Sequence, residues 1–158
     1  MIEVRLVDQH EPEMAARLHA VQMAAYAQEA HLIGARHFPP LERTVHDVQV
    51  SAEQYFAAFD DETLVGAVSI GRDEELEAQN IVSLVISPAR QREGIASRLM
   101  LAVLEKYGTG WISVQTAVNN LPARALYAKF GFIEVKRWFV GTEPLELVRL
   151  NRPGTSKK

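Results

Sequence analysis

The sequence predicts a single mixed α/β domain, and three observations carry that expectation. Residues 2–7 set Ile2, Val4 and Leu6 against Glu3 and Arg5, the period-two alternation of a half-buried strand. Two further strand-like runs, residues 54–59 and 64–71, flank the acidic turn Asp60-Asp61-Glu62-Thr63 and read as a hairpin. Residues 81–104 pass from a nearly all-apolar run through Pro88 and a thin loop into a helix. A chain of 158 residues suits one domain whose core buries most of its apolar surface. We place that domain at residues 1–151 and expect residues 152–158 to form a flexible tail.

After the first strand, Met14, Leu18, Val21 and Ala25 recur at helical spacing over residues 12–28, and Pro12 suits a first helical turn. Gly34, Pro39 and Pro40 break residues 29–50, yet Leu32, Ile33, Phe38 and Leu41 are too apolar for a solvated loop, so an ordered loop with a short helix is expected. A second acidic turn, residues 73–77, leads into residues 81–86, whose composition suits a central strand covered on both faces. Ile95, Leu99, Ala102 and Val103 line one face of a helix ending near Tyr107 and Gly108. Residues 111–116 form the next strand. Asn119 or Asn120 can cap a helix that buries Ala123, Leu126, Tyr127 and Phe130, and Gly131 stands where such a helix stops. Residues 132–140 and 145–150 close the sheet as a hairpin.

Hydrophobic residues at 47% and charged residues at 23% match an ordinary globular protein and indicate neither disorder nor a membrane class. The formal charge of −3 provides no broad cationic surface, so nucleic acid is not an expected partner, although Arg90 and Arg92 form a local basic spot. With no cysteine, disulfides, thiolate metal sites and a cysteine acyl-enzyme are excluded. The five histidines, His10, His19, His31, His37 and His46, show no i, i+4 pair around a glutamate, and no metal is expected. The first residues lack the basic segment and apolar run of a signal peptide, and no apolar stretch reaches membrane-spanning length. The expected setting is cytoplasmic, without a membrane partner.

The loop Arg90-Gln91-Arg92-Glu93-Gly94-Ile95-Ala96 opens a helix, and a helix start leaves backbone N–H groups unpaired at the positive end of the macrodipole. Gly94 and Ala96 leave those amides accessible, which suits an anion, although an ordinary strand-to-helix turn reads the same way. Gln91-x-x-Gly94-x-Ala96 resembles the pyrophosphate-binding motif of the GCN5-related N-acetyltransferases. Asn120-x-x-Ala123-x-x-Leu126-Tyr127-x-x-x-Gly131-Phe132 resembles the second half of that family's fingerprint, and the element order agrees over nearly the whole chain.

The resemblance implies the acyl-CoA N-acyltransferase fold: a mixed, mostly antiparallel sheet with one splayed parallel pair, residues 81–86 and 111–116, flanked by helices. It implies acetyl-coenzyme A as cosubstrate, with no metal. The amides of Arg92, Glu93, Gly94, Ile95, Ala96 and Ser97 would take the diphosphate, with Gln91 beside them. Leu84, Val85 and Ile86 would run along the pantetheine arm, Leu84 and Ile86 pairing with it as a strand would, while Asn120 would hydrogen-bond along the arm and Tyr127 would contact the cofactor. Ala96 stands where many members have glycine, and Arg90-Gln91 where many have Arg-Gly, which leaves the side-chain contact with phosphate open.

Acetyl transfer needs a neutral amine, a donor for the oxyanion and a proton source for the leaving thiolate. Tyr127 is the candidate for the last role. A phenol near pH 10 facing a thiol near 8.5 makes full transfer uphill by roughly 2 kcal/mol, so a hydrogen bond to sulfur is the better description. The Ile86 N–H is the candidate oxyanion donor. Glu29 is the candidate base, with His31, Glu77 and Ser83 as alternatives. Taken alone, Tyr127 reads as a core aromatic and Asn120 as a helix cap; only their register with the loop gives them a function. The acidic residues Asp73, Glu74 and Glu75 read as a solvated turn, and Phe38-Pro39-Pro40-Leu41 as packing or as an acceptor-pocket wall, with the pocket slightly favoured.

These readings predict an N-acetyltransferase moving acetyl directly to a primary amine of a small molecule or peptide. The alternative is a catalytically silent acetyl-coenzyme A sensor or partner-binding module. A homodimer through the final hairpin or the sheet edge stays open.

Overall fold

The computed structural model describes residues 1–142 and 144–155. Among these residues, seven strands form one sheet in the order β1 (Ile2–Val7), β2 (Gln54–Asp60), β3 (Thr63–Asp73), β4 (Ala78–Ile86), β5 (Ile112–Ala117), β7 (Leu145–Arg152) and β6 (Ile133–Val140). Every pair is antiparallel except β4 with β5. The mixed, mostly antiparallel sheet with one parallel pair, expected from the sequence, is therefore present.

Alternation along β2 divides the core into two layers. Tyr55, Ala57 and Phe59 pack with Ala15 and Leu18 of α1 (Pro12–Ile33) and Val48 of α2 (Val45–Gln49). Phe56 and Ala58 pack on the other face with Leu99, Met100 and Val103 of α3 (Ile95–Tyr107) and Tyr127 of α4 (Leu121–Lys129). Helix α1 runs past the expected end at residue 28. Residues 29–33 keep helix-forming side chains, and the stop is Gly34, which at φ 70° caps the Ala30 and His31 carbonyls. That extension moves Glu29 from the expected loop onto the helix.

The parallel pair is short. Only Gln79, Asn80 and Ile81 of β4 face Ile112, Ser113 and Val114 of β5. Beyond Ile81 the register of β4 with β3 slips: Ile81 faces Ile70, but Ser83 faces Ser69, so Val82 is an extra residue, a β-bulge. The bulge bends β4 away from β5 and reverses its alternation. Ile81 belongs to the α3 layer and Val85 to the α1 layer, while Leu84 and Ile86 pack toward α3. The backbone reverses with the side chains. The Ser87 N–H donates to Val65 of β3 at 2.8 Å, so alternate residues back to Val85 and Ser83 face β3, and the peptide groups of Leu84 and Ile86 face the open gap.

Two expectations need correction. Residues 81–86 are not covered on both faces, because Val82 is 44% exposed where the sheet opens. Residues 152–155 are tied down: Arg152 ends β7, and the Thr155 N–H donates to the Gly108 carbonyl at 3.0 Å. The remainder of the expected tail lies outside the described residues. No helix among the described residues is long and apolar enough to cross a membrane.

Candidate active site

At one end of the gap, a 3-10 turn, Pro88–Arg90, leads to Arg92 at φ 65° and Gly94 at φ 77°, and α3 begins without a side-chain cap. The first backbone bond of the helix runs from the Arg98 N–H to the Gly94 carbonyl at 3.2 Å. The N–H groups of residues 92–97 consequently make no hydrogen bond among the described residues. A Cβ on Gly94 would meet nothing within 4 Å, so the left-handed backbone, not crowding, selects glycine there. This bare set of amides at a helix N-terminus fits the diphosphate of coenzyme A.

The basic spot is smaller than the sequence suggested. Arg90 donates twice to Glu93, at 2.9 and 3.0 Å, and once to Asp60 at 2.8 Å. Its guanidinium holds both carboxyl groups below their ordinary range. Gln91 donates to the Gln28 side chain at 2.6 Å, while Arg92 is exposed and makes no ion pair among the described residues. Arg92 is thus available to an anionic ligand, as is the exposed Lys129, whose Nζ lies 3.4 Å from the Ser97 hydroxyl.

Where β4 leaves β5, a cleft of about 410 Å³ opens, lined by Val82, Ser83 and Leu84 of β4 and by Val114 and Thr116 of β5. The gap lets helices from opposite layers meet in it: α1 contributes Tyr26 and Glu29, and α4 brings Tyr127 and its cap Asn120. Asn120 binds both ways. Its Nδ2 donates to Glu29 Oε1 at 3.1 Å, and its Oδ1 accepts the Ala123 N–H at 3.2 Å. Phe38, Pro39 and Pro40 also line the cleft, with the Phe38 ring edge-on to Tyr26 at 6.1 Å.

Burial sets the chemistry of these groups. It pushes the Glu29 carboxyl above its ordinary value, and the Asn120 donation offsets this in part. The same cause raises Tyr127, which is 5% exposed, and the nearby Glu29 charge adds to it. The Tyr127 hydroxyl has no hydrogen-bond partner among the described residues. Tyr26 is pushed up to about 12 by burial, while the Ser83 hydroxyl acts in the opposite sense.

Of the residues singled out by sequence for chemistry or cofactor binding, the cleft thus gathers Glu29, Ser83, Leu84, Asn120 and Tyr127. Ile86 is not among the residues that line the cleft; it is the last residue of β4. Val85 differs from the expected arm-binding run: its side chain is 3% exposed in the α1 layer and its backbone faces β3. Among the alternative bases, His31 and Glu77 are exposed and outside the cleft, while the buried Ser83 hydroxyl is 2.6 Å from that of Ser69. Tyr26 was missed. Its signal was a buried helix stripe, Ala15, Leu18, Gln22, Tyr26, Ala30 and Ile33, interrupted by polar groups.

Residues 18–132 match the family model described as Acetyltransferase (GNAT) family. A relative from Bacillus subtilis, UPF0157 protein YqkA, is 32% identical over 130 residues, 82% of this chain and 37% of that protein. The mycothiol acetyltransferase of Brachybacterium faecium is 32% identical over 120 residues, 72% of this chain and 36% of that protein. The chain thus spans little more than a third of each. Among solved structures, the ribosomal-protein-S18-alanine N-acetyltransferase of Escherichia coli superposes with a TM-score of 0.76 at 14% identity, covering 100% of this chain and 97% of that one. The PaiA N-acetyltransferase of Thermoplasma acidophilum, solved with coenzyme A, gives 0.71 at 16%, covering 97% and 99%.

Proposed function

The chain belongs to the GNAT acetyltransferase family, and from that premise we propose that it transfers the acetyl group of acetyl-coenzyme A directly to a primary amine of a small molecule or peptide. The observation that carries this reading is the gap between β4 and β5, with bare amides at one end and Tyr127 and Glu29 at the other.

When bound, acetyl-coenzyme A supplies an activated thioester. The amides of residues 92–97 hold its diphosphate, and the gap-facing peptide groups of Leu84 and Ile86 orient the pantetheine arm as a neighbouring strand would. The Ile86 N–H donates to the carbonyl oxygen as negative charge develops there. Glu29 takes the proton of the acceptor amine. An alkylamine, whose protonated form titrates near 10.4, is more basic than any carboxylate, so Glu29 acts as the new C–N bond forms; its raised pKa makes it a better base than an exposed carboxylate. Asn120 positions Glu29. With its pKa raised, Tyr127 is a hydrogen-bond donor to the departing sulfur and not a full proton donor.

The test is calorimetric titration with acetyl-coenzyme A, followed by thiol-release assays over a panel of small amines and amino-terminal peptides. Binding with release on at least one amine is expected. Binding without release on any amine would contradict the transferase and favour the sensor or partner-binding reading.

A further inference from the structure

A stripe of buried hydroxyl groups crosses the sheet beneath α1. Tyr55 on β2 faces Ser69 on β3, and Ser69 faces Ser83 on β4, so the three are direct cross-strand neighbours on one face. Their exposures are 0%, 0% and 7%, and the two serine hydroxyls lie 2.6 Å apart. Gln22 and Tyr26, one helical turn apart on α1, lie over the stripe. Gln22 is fully buried, and its amide, beside the Tyr55 hydroxyl, has both polar atoms unpaired among the described residues. An apolar core would avoid this arrangement, because each buried polar group left unpaired costs about 1–3 kcal/mol.

The stripe is anchored at its outer end. At its outer end Arg43 Nη2 donates to the Tyr55 hydroxyl at 3.1 Å while pairing with Glu53 at 3.3 Å. A guanidinium only donates, so the Tyr55 proton turns away from Arg43, to the side where the Gln22 amide and Ser69 lie. The stripe continues through the Ser69–Ser83 contact, in which either hydroxyl can donate, toward Tyr26, and the Glu29 charge at the cleft end favours a Tyr26 hydroxyl that keeps its proton. No hydrogen bond joins the Tyr26 hydroxyl to Glu29 among the described residues, and Tyr26 lines the cleft.

We propose that Tyr26, held as a donor by the Arg43–Tyr55–Ser69–Ser83 relay, determines acceptor specificity by selecting amines that carry a hydrogen-bond-accepting oxygen next to the nitrogen. This rests on the acetyltransferase reading of the cleft. The chemistry follows from that donor: the reacting amine must keep its lone pair for the acetyl carbon, so a donor beside it serves a second group, an amide, carboxylate or hydroxyl oxygen. Amino acid amides and peptide amino termini have that oxygen, and plain alkylamines lack it.

The probes are leucinamide and 3-methylbutylamine, which differ by the carboxamide, titrated calorimetrically into the coenzyme A complex. Tyr26→Phe should weaken leucinamide roughly tenfold, the loss of one hydrogen bond, and leave 3-methylbutylamine within about twofold. Ser69→Ala and Tyr55→Phe touch neither probe, yet each should weaken leucinamide alone, by roughly threefold. Equal weakening of both probes by Tyr26→Phe, or none, would overturn the proposal. So would unchanged leucinamide binding in both relay variants, their folding confirmed by thermal melts and coenzyme A binding. The readout is binding, so selective loss without thiol release would sink the enzyme reading alone, and release without selective loss would sink the relay alone.

Discussion

The two ends of the gap beside β4 are built by opposite means. At the helix α3 end, consecutive peptide groups form a bare row, and the nearby side chains Arg90, Glu93 and Gln91 are largely occupied with one another or with Asp60 and Gln28. At the cleft end, side chains from α1, β4 and α4 converge, and burial changes their proton affinities. Backbone suits a ligand part that never varies, and side chains suit one that must be selected. We expect substitutions at the first end to alter donor binding and those at the second to alter turnover and acceptor choice.

The largest effect should come from Gly94→Glu. The left-handed backbone there costs any L-residue roughly 1–2 kcal/mol, and the new carboxylate faces the same anion as the amides. Calorimetry should find acetyl-coenzyme A affinity lowered by more than about 100-fold; near-normal affinity would show that the amides do not hold the diphosphate.

Glu29→Gln should leave that affinity nearly unchanged and lower turnover by about 100-fold near neutral pH. In the wild type, turnover should fall with acidity through a limb lying above the ordinary glutamate value of about 4.3, and the variant should lack that limb. Stability should move the other way. Because folding raises the Glu29 pKa, its protonated form is favoured in the native state, and that contribution is full below the unfolded value and lost as pH rises through the folded one. Thermal melts should therefore show Glu29→Gln stabilised relative to wild type at neutral pH, with the difference closing below about pH 4. The smallest effect should be Gln91→Ala, a loss of donor affinity within about threefold; a larger loss than Gly94→Glu would reverse the contrast between the two ends.

The same contrast explains what could be read from the sequence. The loop at residues 91–97 was legible because its chemistry is local: a glycine, a helix start and the strand before it are contiguous. The placement of Tyr127 and Asn120 followed from a second contiguous motif. The bulge at Val82 was not legible, since it exists only in the pairing of β4 with β3, and it decides that Leu84 and Ile86, not Val85, face the gap. Tyr26 was missed because its significance depends on Ser83 and Glu29, brought near it by the sheet and by a helix that runs longer than its apolar periodicity suggested.

The central claim, that the cleft end performs transfer while the loop end only binds, is tested most directly by Tyr127→Phe. Single-turnover thiol release and acetyl-coenzyme A titration would be measured on the same preparation with one accepted amine. The account predicts release slowed by about 100-fold and a dissociation constant within about twofold of wild type. Release at the wild-type rate, or a loss of affinity as large as the loss of rate, would contradict it.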